Sequence, residues 1–301
     1  MQMPAVALAA ATGRRKWTVE VAQKLEAQGF QGIYCASFGD GMGLCLSIAH
    51  NTKTIRFGTS IMPIYYRLAF DLAQSAAYLH EISDGRFQMG IGVSHGPALG
   101  RLGVHAGKPL SDTRKYVEQM RAASQQVGPL PPIVLATLRT KMVDLAVEIG
   151  EGAVWANAAR SHMAHSLAHI PAEKRSGDFY IGDMLPTCID DEDPAAAMNV
   201  SKRTLTSYLM LPNYRNYWKE AGYQEEMEAV EAALERGDRD ALPGLMSERW
   251  LTDTTLFGTR KQVLDGLEQW FAAGVKTPIL VASSTRGGQV KAIEELTNAF
   301  A

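Results

Sequence analysis

The chain has 301 residues, 46% hydrophobic and 21% charged, a composition typical of globular proteins that excludes a disordered, collagenous or fibrous one. Its 30 basic and 32 acidic residues give a formal net charge of −2, so there is no basic field to bind nucleic acid. No apolar run reaches the ~18–20 residues that a membrane span requires, and we expect no membrane partner.

Short apolar runs alternate with segments of helical periodicity along most of the chain. In chain order, strands are predicted near residues 5, 33, 58, 89, 135, 154, 182 and 280. Helices are predicted over 17–28, 42–50, 68–82, 112–126, 141–149, 161–170, 195–209, 263–273 and 290–300. Apolar strands that alternate with helices indicate a parallel sheet covered on both faces. Eight such units favour an α/β fold with a single (β/α)8 TIM barrel over a doubly wound sheet.

Residues 212–255 fit no strand–helix unit. They contain an aromatic stretch with turns, followed by predicted helices over 224–236 and 238–248. We therefore predict one domain over residues 1–301, with a helical insertion at about 212–255 before the last unit, near the mouth of the barrel.

The location is predicted from the N-terminus and the cysteines. The apolar residues 4–11 are followed, not preceded, by Arg14 and Arg15, the wrong order for a signal peptide. The three cysteines lack Cys-x-x-Cys spacing and predict free thiols in a reducing compartment. We expect a cytoplasmic protein.

A glycine-rich motif and a histidine cluster suggest a dinucleotide site and a metal site, but neither pattern is complete. After Gly39 and Gly41, the third glycine of a dinucleotide fingerprint would stand where the chain has Leu44. We interpret the motif as a glycine-rich loop that leaves a strand. Histidines 162, 165 and 169 share one predicted helix face, but no further ligand accompanies them, so we predict an outer helix face and no metal site.

Acidic residues 190–193 precede Pro194 and could hold a metal ion or cap a helix. Carboxylates before a proline at the first helical position are what a helix N-terminus favours, so we predict a cap. Lys141 begins a predicted helix, with Thr137 and Thr140 beside it. This group is either an anion site at a helix N-terminus or an ordinary cap with a surface lysine, and spacing leaves both open.

The most informative segment spans residues 55–97. A strand ending in Gly-Thr-Ser is followed by an arginine, and Ser-Asp-Gly-Arg-Phe leads into Gly-Ile-Gly-Val. These two motifs and their separation closely resemble the bacterial luciferase-like family of flavin- and deazaflavin-dependent oxidoreductases. Within it, the chain looks most like the branch that depends on coenzyme F-420. The resemblance continues more weakly through 132–138, 145–154 and 257–259.

The resemblance implies a barrel that binds a flavin or deazaflavin at its C-terminal mouth. It also implies a non-prolyl cis peptide bond between Ser60 and Ile61, in a bulge behind the ring of the cofactor. The family's contacts, carried onto this chain and joined to the anion site above, predict these cofactor-binding residues: Ser60, Ile61, Arg67, Gly92, Val93, Ser94, Thr137, Thr140 and Lys141, with Gly90 as a further strand glycine.

The chain departs from the family pattern in two places. Relatives with an acid–base histidine after the second strand have it where this chain reads Ala36-Ser37-Phe38. The phosphate-contacting loop after the fifth strand often has glycine where this chain has Arg139 and Thr140. His95, after the fourth strand, is then the candidate catalytic acid–base residue; the alternative is a loop histidine that only caps backbone.

The resemblance favours an oxidoreductase that moves hydride between coenzyme F-420 and a small organic substrate. The first alternative is an FMN-dependent monooxygenase that uses reduced flavin and oxygen, with a separate flavin reductase as partner. The second is a flavin-binding barrel without turnover. The family also implies a homodimer.

Overall fold

A computed structural model describes residues 2–37 and 39–301. The strands, in chain order, are β1 (Ala5–Leu8), β2 (Gly32–Cys35), β3 (Arg56–Thr59), β4 (Met62–Pro63), β5 (Phe87–Gly92), β6 (Ile133–Ala136), β7 (Gly152–Ala156), β8 (Tyr180–Ile189), β9 (Leu256–Gly258) and β10 (Thr277–Ser283). The α-helices are α1 (Arg15–Ala27), α2 (Gly41–Asn51), α3 (Ala69–Ile82), α4 (Gly96–Arg101), α5 (Pro109–Val127), α6 (Thr140–Ile149), α7 (Met163–Ala168), α8 (Ala172–Ser176), α9 (Pro194–Leu209), α10 (Pro212–Glu220), α11 (Gln224–Glu235), α12 (Glu248–Thr254), α13 (Arg260–Ala272) and α14 (Gln289–Ala299). Short 3₁₀ turns occur at Arg160–His162 and Leu242–Leu245.

The contacts group these elements into two compact units. The first contains Met3–Trp155 and His169–Gly182, and the second contains Ala156–Ala168 and Asp183–Ala301. The strand predictions are confirmed, because each predicted strand corresponds to an observed one, namely β1, β2, β3, β5, β6, β7, β8 and β10. The single domain over the whole chain stays a prediction.

In the first unit, the strands follow the order β1-β2-β3-β5-β6-β7, with β4 beside β5. Each pairing whose register is known is parallel, for example Ile33 with Phe57 and Ile91 with Leu135. The strand side chains are almost all buried, which explains why these strands read as continuous apolar runs. Because parallel strands point the same way, their carboxyl ends share one side of the sheet, called here the carboxyl edge.

In the second unit, β8 pairs with β9 in parallel and with β10. The predicted insertion is present as α10, α11 and α12. The expectation of aromatic turns in it was wrong, because helix α10 begins at Pro212 and buries Tyr214, Tyr217 and Trp218 along one face. The ring of Trp218 packs edge-on against Trp250 of α12 at 4.7 Å between centroids. Burial of these large rings stabilises a helix that was not predicted, because the segment also contains turn-forming residues.

The predicted helix over 238–248 was also wrong. The chain forms only a 3₁₀ turn at Leu242–Leu245, and α12 begins later because the Ser247 hydroxyl accepts a hydrogen bond from the Trp250 amide at 3.2 Å. The helix predicted over 161–170, which would contain three histidines, is shorter in the structure. It ends at Ala168, and His169 beyond it lies 2.8 Å from Asp144 through Nδ1 and Oδ1.

The acidic stretch before α9 is a cap, as predicted. The Asp193 carboxylate accepts a hydrogen bond from the Ala196 amide at 2.9 Å. The Asp190 carboxylate accepts from the Glu192 and Asp193 amides and pairs with Arg286 at 2.9 Å. Among the described residues, no group of three or more histidine, cysteine or acidic side chains could hold a metal ion, and no helix is long and apolar enough to cross a membrane.

Candidate functional site

The end of β3 carries a bulge at the carboxyl edge. The Ser60–Ile61 peptide bond is cis, as predicted. The Ser60 amide donates to the Cys35 carbonyl at 2.9 Å. The chain then rejoins the sheet as β4, where Pro63 is level with Gly92, and the Ile64 amide donates to the Gly92 carbonyl at 2.9 Å. Backbone hydrogen bonds to both β2 and β5 therefore hold the bulge in place.

Two glycines of β5 make room for this bulge. A Cβ atom on Gly90 would lie 2.0 Å from the Thr59 carbonyl oxygen. A Cβ on Gly92 would lie 2.6 Å from the Ala136 Cβ and 3.1 Å from the Ile61 Cδ1. The distances of 2.0 and 2.6 Å are shorter than side chains tolerate, so both glycines are required by the close approach of β5 to Thr59 and to Ala136.

We expect Gly90→Ala to lower the free energy of unfolding by about 1–3 kcal/mol, because backbone must move to admit the added methyl group. Gly100→Ala is the matched control: it lies in α4 with nothing within 4 Å of its Cβ position, and alanine favours a helix. Urea unfolding of the three proteins measures the difference. Equal stability of Gly90→Ala and the wild type would contradict the steric role.

The bulge presents one hydroxyl without a partner. Ser60 is 6% exposed, and its Oγ accepts and donates no hydrogen bond among the described residues. Buried hydroxyls are normally hydrogen-bonded, so an unsatisfied one at a sheet edge suits a ligand that supplies the missing partner. Ile61 beside it is half-buried and offers an apolar surface. The bulge thus fits a flat ring that carries hydrogen-bonding atoms.

The residues that follow β5 continue the carboxyl edge. Val93, Ser94 and His95 are all half-buried, and Ser94 has φ of +61°, which turns the chain away from the strand. His95 precedes α4 and makes no side-chain cap there. Burial lowers the pKa of His95 below its usual value, so its imidazole is neutral at pH 7. A neutral imidazole can accept a proton and, once protonated, return it.

The predicted anion-binding residues lie around the start of α6. Thr137 directly follows β6 and is buried, with its amide donating to the Val154 carbonyl at 2.8 Å. Thr140 begins α6, and no side chain caps this helix N-terminus. Lys141 is exposed and lines an outer groove between α5 and α6, together with Arg114 and Glu148. The structure therefore places Thr137 and Thr140 near the edge, while contact between Lys141 and an anion stays a prediction.

The Arg67 guanidinium is hydrogen-bonded to side chains of α3, the helix that follows it. Its Nε donates to the Asp71 carboxylate at 2.6 Å and its Nη2 to the Ser75 hydroxyl at 2.8 Å. Its carbonyl accepts from the Tyr116 hydroxyl at 2.9 Å. Arg67 would have to leave these partners to contact a cofactor, and its binding role stays a prediction.

A polar contact at the same edge was not predicted from the sequence. Tyr65 follows the bulge, and its hydroxyl donates to the Asp112 carboxylate at 2.7 Å and accepts from the Gly107 amide at 3.3 Å. No motif signals this contact, because its members are far apart in the chain. Phe38, in the stretch where relatives have a histidine, lies outside the described residues.

Comparisons with known proteins bear on the family. The sequence profile of the luciferase-like monooxygenases matches residues 4–277. A Mycobacterium tuberculosis protein provisionally named a coenzyme F-420-dependent oxidoreductase is 26% identical over 284 residues, covering 78% of this chain and 81% of its own. The solved coenzyme F-420-dependent tetrahydromethanopterin reductase of Methanopyrus kandleri is 17% identical, with a TM-score of 0.71 over 99% of this chain and 98% of its own.

A third similar protein carries a different cofactor. It is the oxygenating constituent of 3,6-diketocamphane monooxygenase from Pseudomonas putida, solved in complex with FMN. It is 14% identical, with a TM-score of 0.62 over 100% of this chain and 98% of its own. These likenesses confirm the predicted fold, a (β/α)8 TIM barrel. The family profile covers most of the sequence, including the bulge and both β5 glycines, and so the chain belongs to the luciferase-like monooxygenase family of enzymes.

Proposed function

We propose that this protein is an oxidoreductase that transfers hydride between coenzyme F-420 and a small organic substrate. The observation that carries the proposal is the bulge at Ser60–Ile61, which packs against Gly90 and Gly92 and contains a buried hydroxyl with no partner among the described residues. The name of the Mycobacterium tuberculosis relative and that of the Methanopyrus kandleri enzyme both support coenzyme F-420 over other cofactors.

The chain's own residues would bind and orient the coenzyme. Ile61 and Val93 offer apolar contact to a ring, and the Ser60 hydroxyl offers it a hydrogen bond. The uncapped N-terminus of α6, with Thr137 and Thr140, offers amides and hydroxyls to a phosphate. When bound, the coenzyme supplies the hydride chemistry. His95 would donate the proton that the oxygen takes up when a carbonyl-like substrate is reduced, and it would accept that proton when the alcohol is oxidised.

The alternative is an FMN-dependent monooxygenase that uses reduced flavin and oxygen. It is supported by the FMN complex of the Pseudomonas putida protein. Both cofactors have a flat tricyclic ring and a phosphate, so the bulge and the start of α6 suit either. This alternative would require a flavin reductase as partner.

Titration with each cofactor separates the two functions. We expect oxidised coenzyme F-420 to bind the wild-type protein more tightly than FMN, followed by absorbance or fluorescence. Ser60→Ala should weaken the affinity for F-420 by about two- to ten-fold through loss of one hydrogen bond. Ser47→Ala is the control, since among the described residues its hydroxyl bonds only to the Gly43 carbonyl within α2.

Tighter binding of FMN would favour the monooxygenase. Binding of neither cofactor would overturn the proposed function. The cytoplasmic location and the homodimer also stay predictions. The exposed apolar side chains Leu46, Phe70 and Tyr78 of α2 and α3 would suit a dimer surface, and light scattering would measure it.

A further inference from the structure

Residues 96–108, called here the lid segment, join β5 to α5 and are held by few contacts. Leu99 is the buried side chain of this segment, at 1% exposure, whereas Leu102 is 59% exposed. Gly96, Gly100 and Gly103 have open space where a Cβ would stand. A segment with little buried surface opens at low free energy.

The N-terminal end of the lid segment is held by the end of β5. It begins directly after His95, at the carboxyl edge, where Ser94 turns the chain out of β5. Leu99 then anchors its first turn in the core.

The other end is fixed by Tyr65. The Gly107 amide donates to the Tyr65 hydroxyl at 3.3 Å, and that hydroxyl donates to the Asp112 carboxylate at 2.7 Å. Burial, with the Asp112 hydrogen bond second, raises the pKa of Tyr65 to about 12, so the hydroxyl keeps the proton that it donates. A Cβ on Gly107 would lie 2.2 Å from the Asp112 Oδ2, so only glycine permits this contact without displacing the carboxylate.

Tyr65 is itself placed by the bulge. It follows Ile64, whose amide bonds to the Gly92 carbonyl, and it stands between that contact and Arg67, whose carbonyl accepts from the Tyr116 hydroxyl. The lid segment is therefore attached at both ends to the residues that form the candidate cofactor site.

We propose that residues 96–108 form a lid over the cofactor site and that Tyr65 is the positioning residue that latches it closed. The inference rests on the proposed function for the identity of what it covers. A closed lid excludes water from the ring and slows its release, while its single anchoring side chain and its latch allow it to open for exchange.

Trypsin can report on the lid, because it cleaves after Arg101, whereas Pro109 blocks cleavage after Lys108. We would compare limited trypsin digestion of the full chain, without ligand and with saturating oxidised coenzyme F-420. Tyr65→Phe removes the hydroxyl and keeps the ring. Tyr66→Phe is the matched control, since the neighbouring tyrosine makes no hydrogen bond through its side chain among the described residues. Cleavage after the exposed Lys261 serves as the internal reference.

We expect Tyr65→Phe to be cut in the lid about two- to ten-fold faster than the wild type and Tyr66→Phe, with cleavage after Lys261 unchanged. Gly107→Ala should act in the same direction by forcing the Asp112 carboxylate away. Coenzyme F-420 should protect the lid of the wild type, and it should dissociate faster from Tyr65→Phe.

Equal cleavage of Tyr65→Phe and Tyr66→Phe in the lid would overturn the latch. If the coenzyme bound, as shown by its absorbance, but did not protect the bond after Arg101, the lid would be overturned while the proposed function stood. A wild-type protein that bound no coenzyme would overturn the proposed function and the lid's role over it, whereas the latch would still be decided by cleavage without ligand.

Discussion

His95→Ala should lower kcat by about 10²–10⁴-fold while the fold stays intact. His95 lies at the carboxyl edge directly after β5, and burial keeps its imidazole neutral at pH 7, the form that accepts a proton from an alcohol substrate. The measurement is the rate at which oxidised coenzyme F-420 is reduced with a small secondary alcohol as hydride donor, at saturating concentrations. Circular dichroism and the unfolding midpoint check the fold.

His50→Ala is the control, because His50 is exposed in the last turn of α2, outside the candidate site and the lid segment, and should leave kcat unchanged. Two outcomes would contradict a catalytic role. A weaker affinity for the coenzyme with unchanged turnover at saturation would make His95 a binding residue. Wild-type turnover and affinity together would remove it from the site.

Asp183→Asn should abolish a loss of stability that the wild-type protein suffers as the pH rises. Asp183 is fully buried in β8; its Oδ1 accepts a long hydrogen bond from the Ala158 amide at 3.5 Å, and its Oδ2 has no partner among the described residues. Burial raises the pKa of this carboxyl well above its usual range. The folded protein therefore keeps a proton that the unfolded chain releases.

The sign of the effect follows from that difference in bound protons. Above the unfolded pKa near 4, the wild type should lose about 1.4 kcal/mol of unfolding free energy per pH unit, until the pH passes the folded pKa. Asparagine is neutral throughout, so Asp183→Asn should be more stable than the wild type at pH 7, with a flatter pH profile. Urea unfolding from pH 5 to 9 measures both.

Asp240→Asn provides the control, since that carboxylate is exposed in the same unit and should leave the pH profile unchanged. A wild-type profile parallel to that of Asp183→Asn would show that Asp183 is ionised in the folded protein, contrary to the expectation. The result also bears on β7, because the Ala158 amide that Asp183 binds lies just beyond that strand.

The sequence by itself determined the strand–helix succession, whereas the bulge was predicted from the resemblance of residues 55–97 to the family. Alternating apolar runs and helical periodicity reflect burial of strands on both faces, a local pattern that survives in any single sequence. The family motif at Gly90 and Gly92 has a steric reason, because no other residue permits the approach of β5 to the bulge. The helix cap at Asp193 was readable because a cap depends on residues within one turn.

Contacts between distant segments were decided only by the tertiary structure. The aromatic stretch at 214–218 looked like turns because helix propensity is a weak preference, and burial of Tyr217 and Trp218 overrides it. The partners of Arg67 are another case, because only the tertiary structure places Asp71 and Ser75 beside its guanidinium, while its role as a cofactor ligand stays a prediction. The Tyr65 latch and the isolated Asp183 carboxyl share this origin: each depends on which groups surround it in three dimensions, and that environment is not written in local spacing.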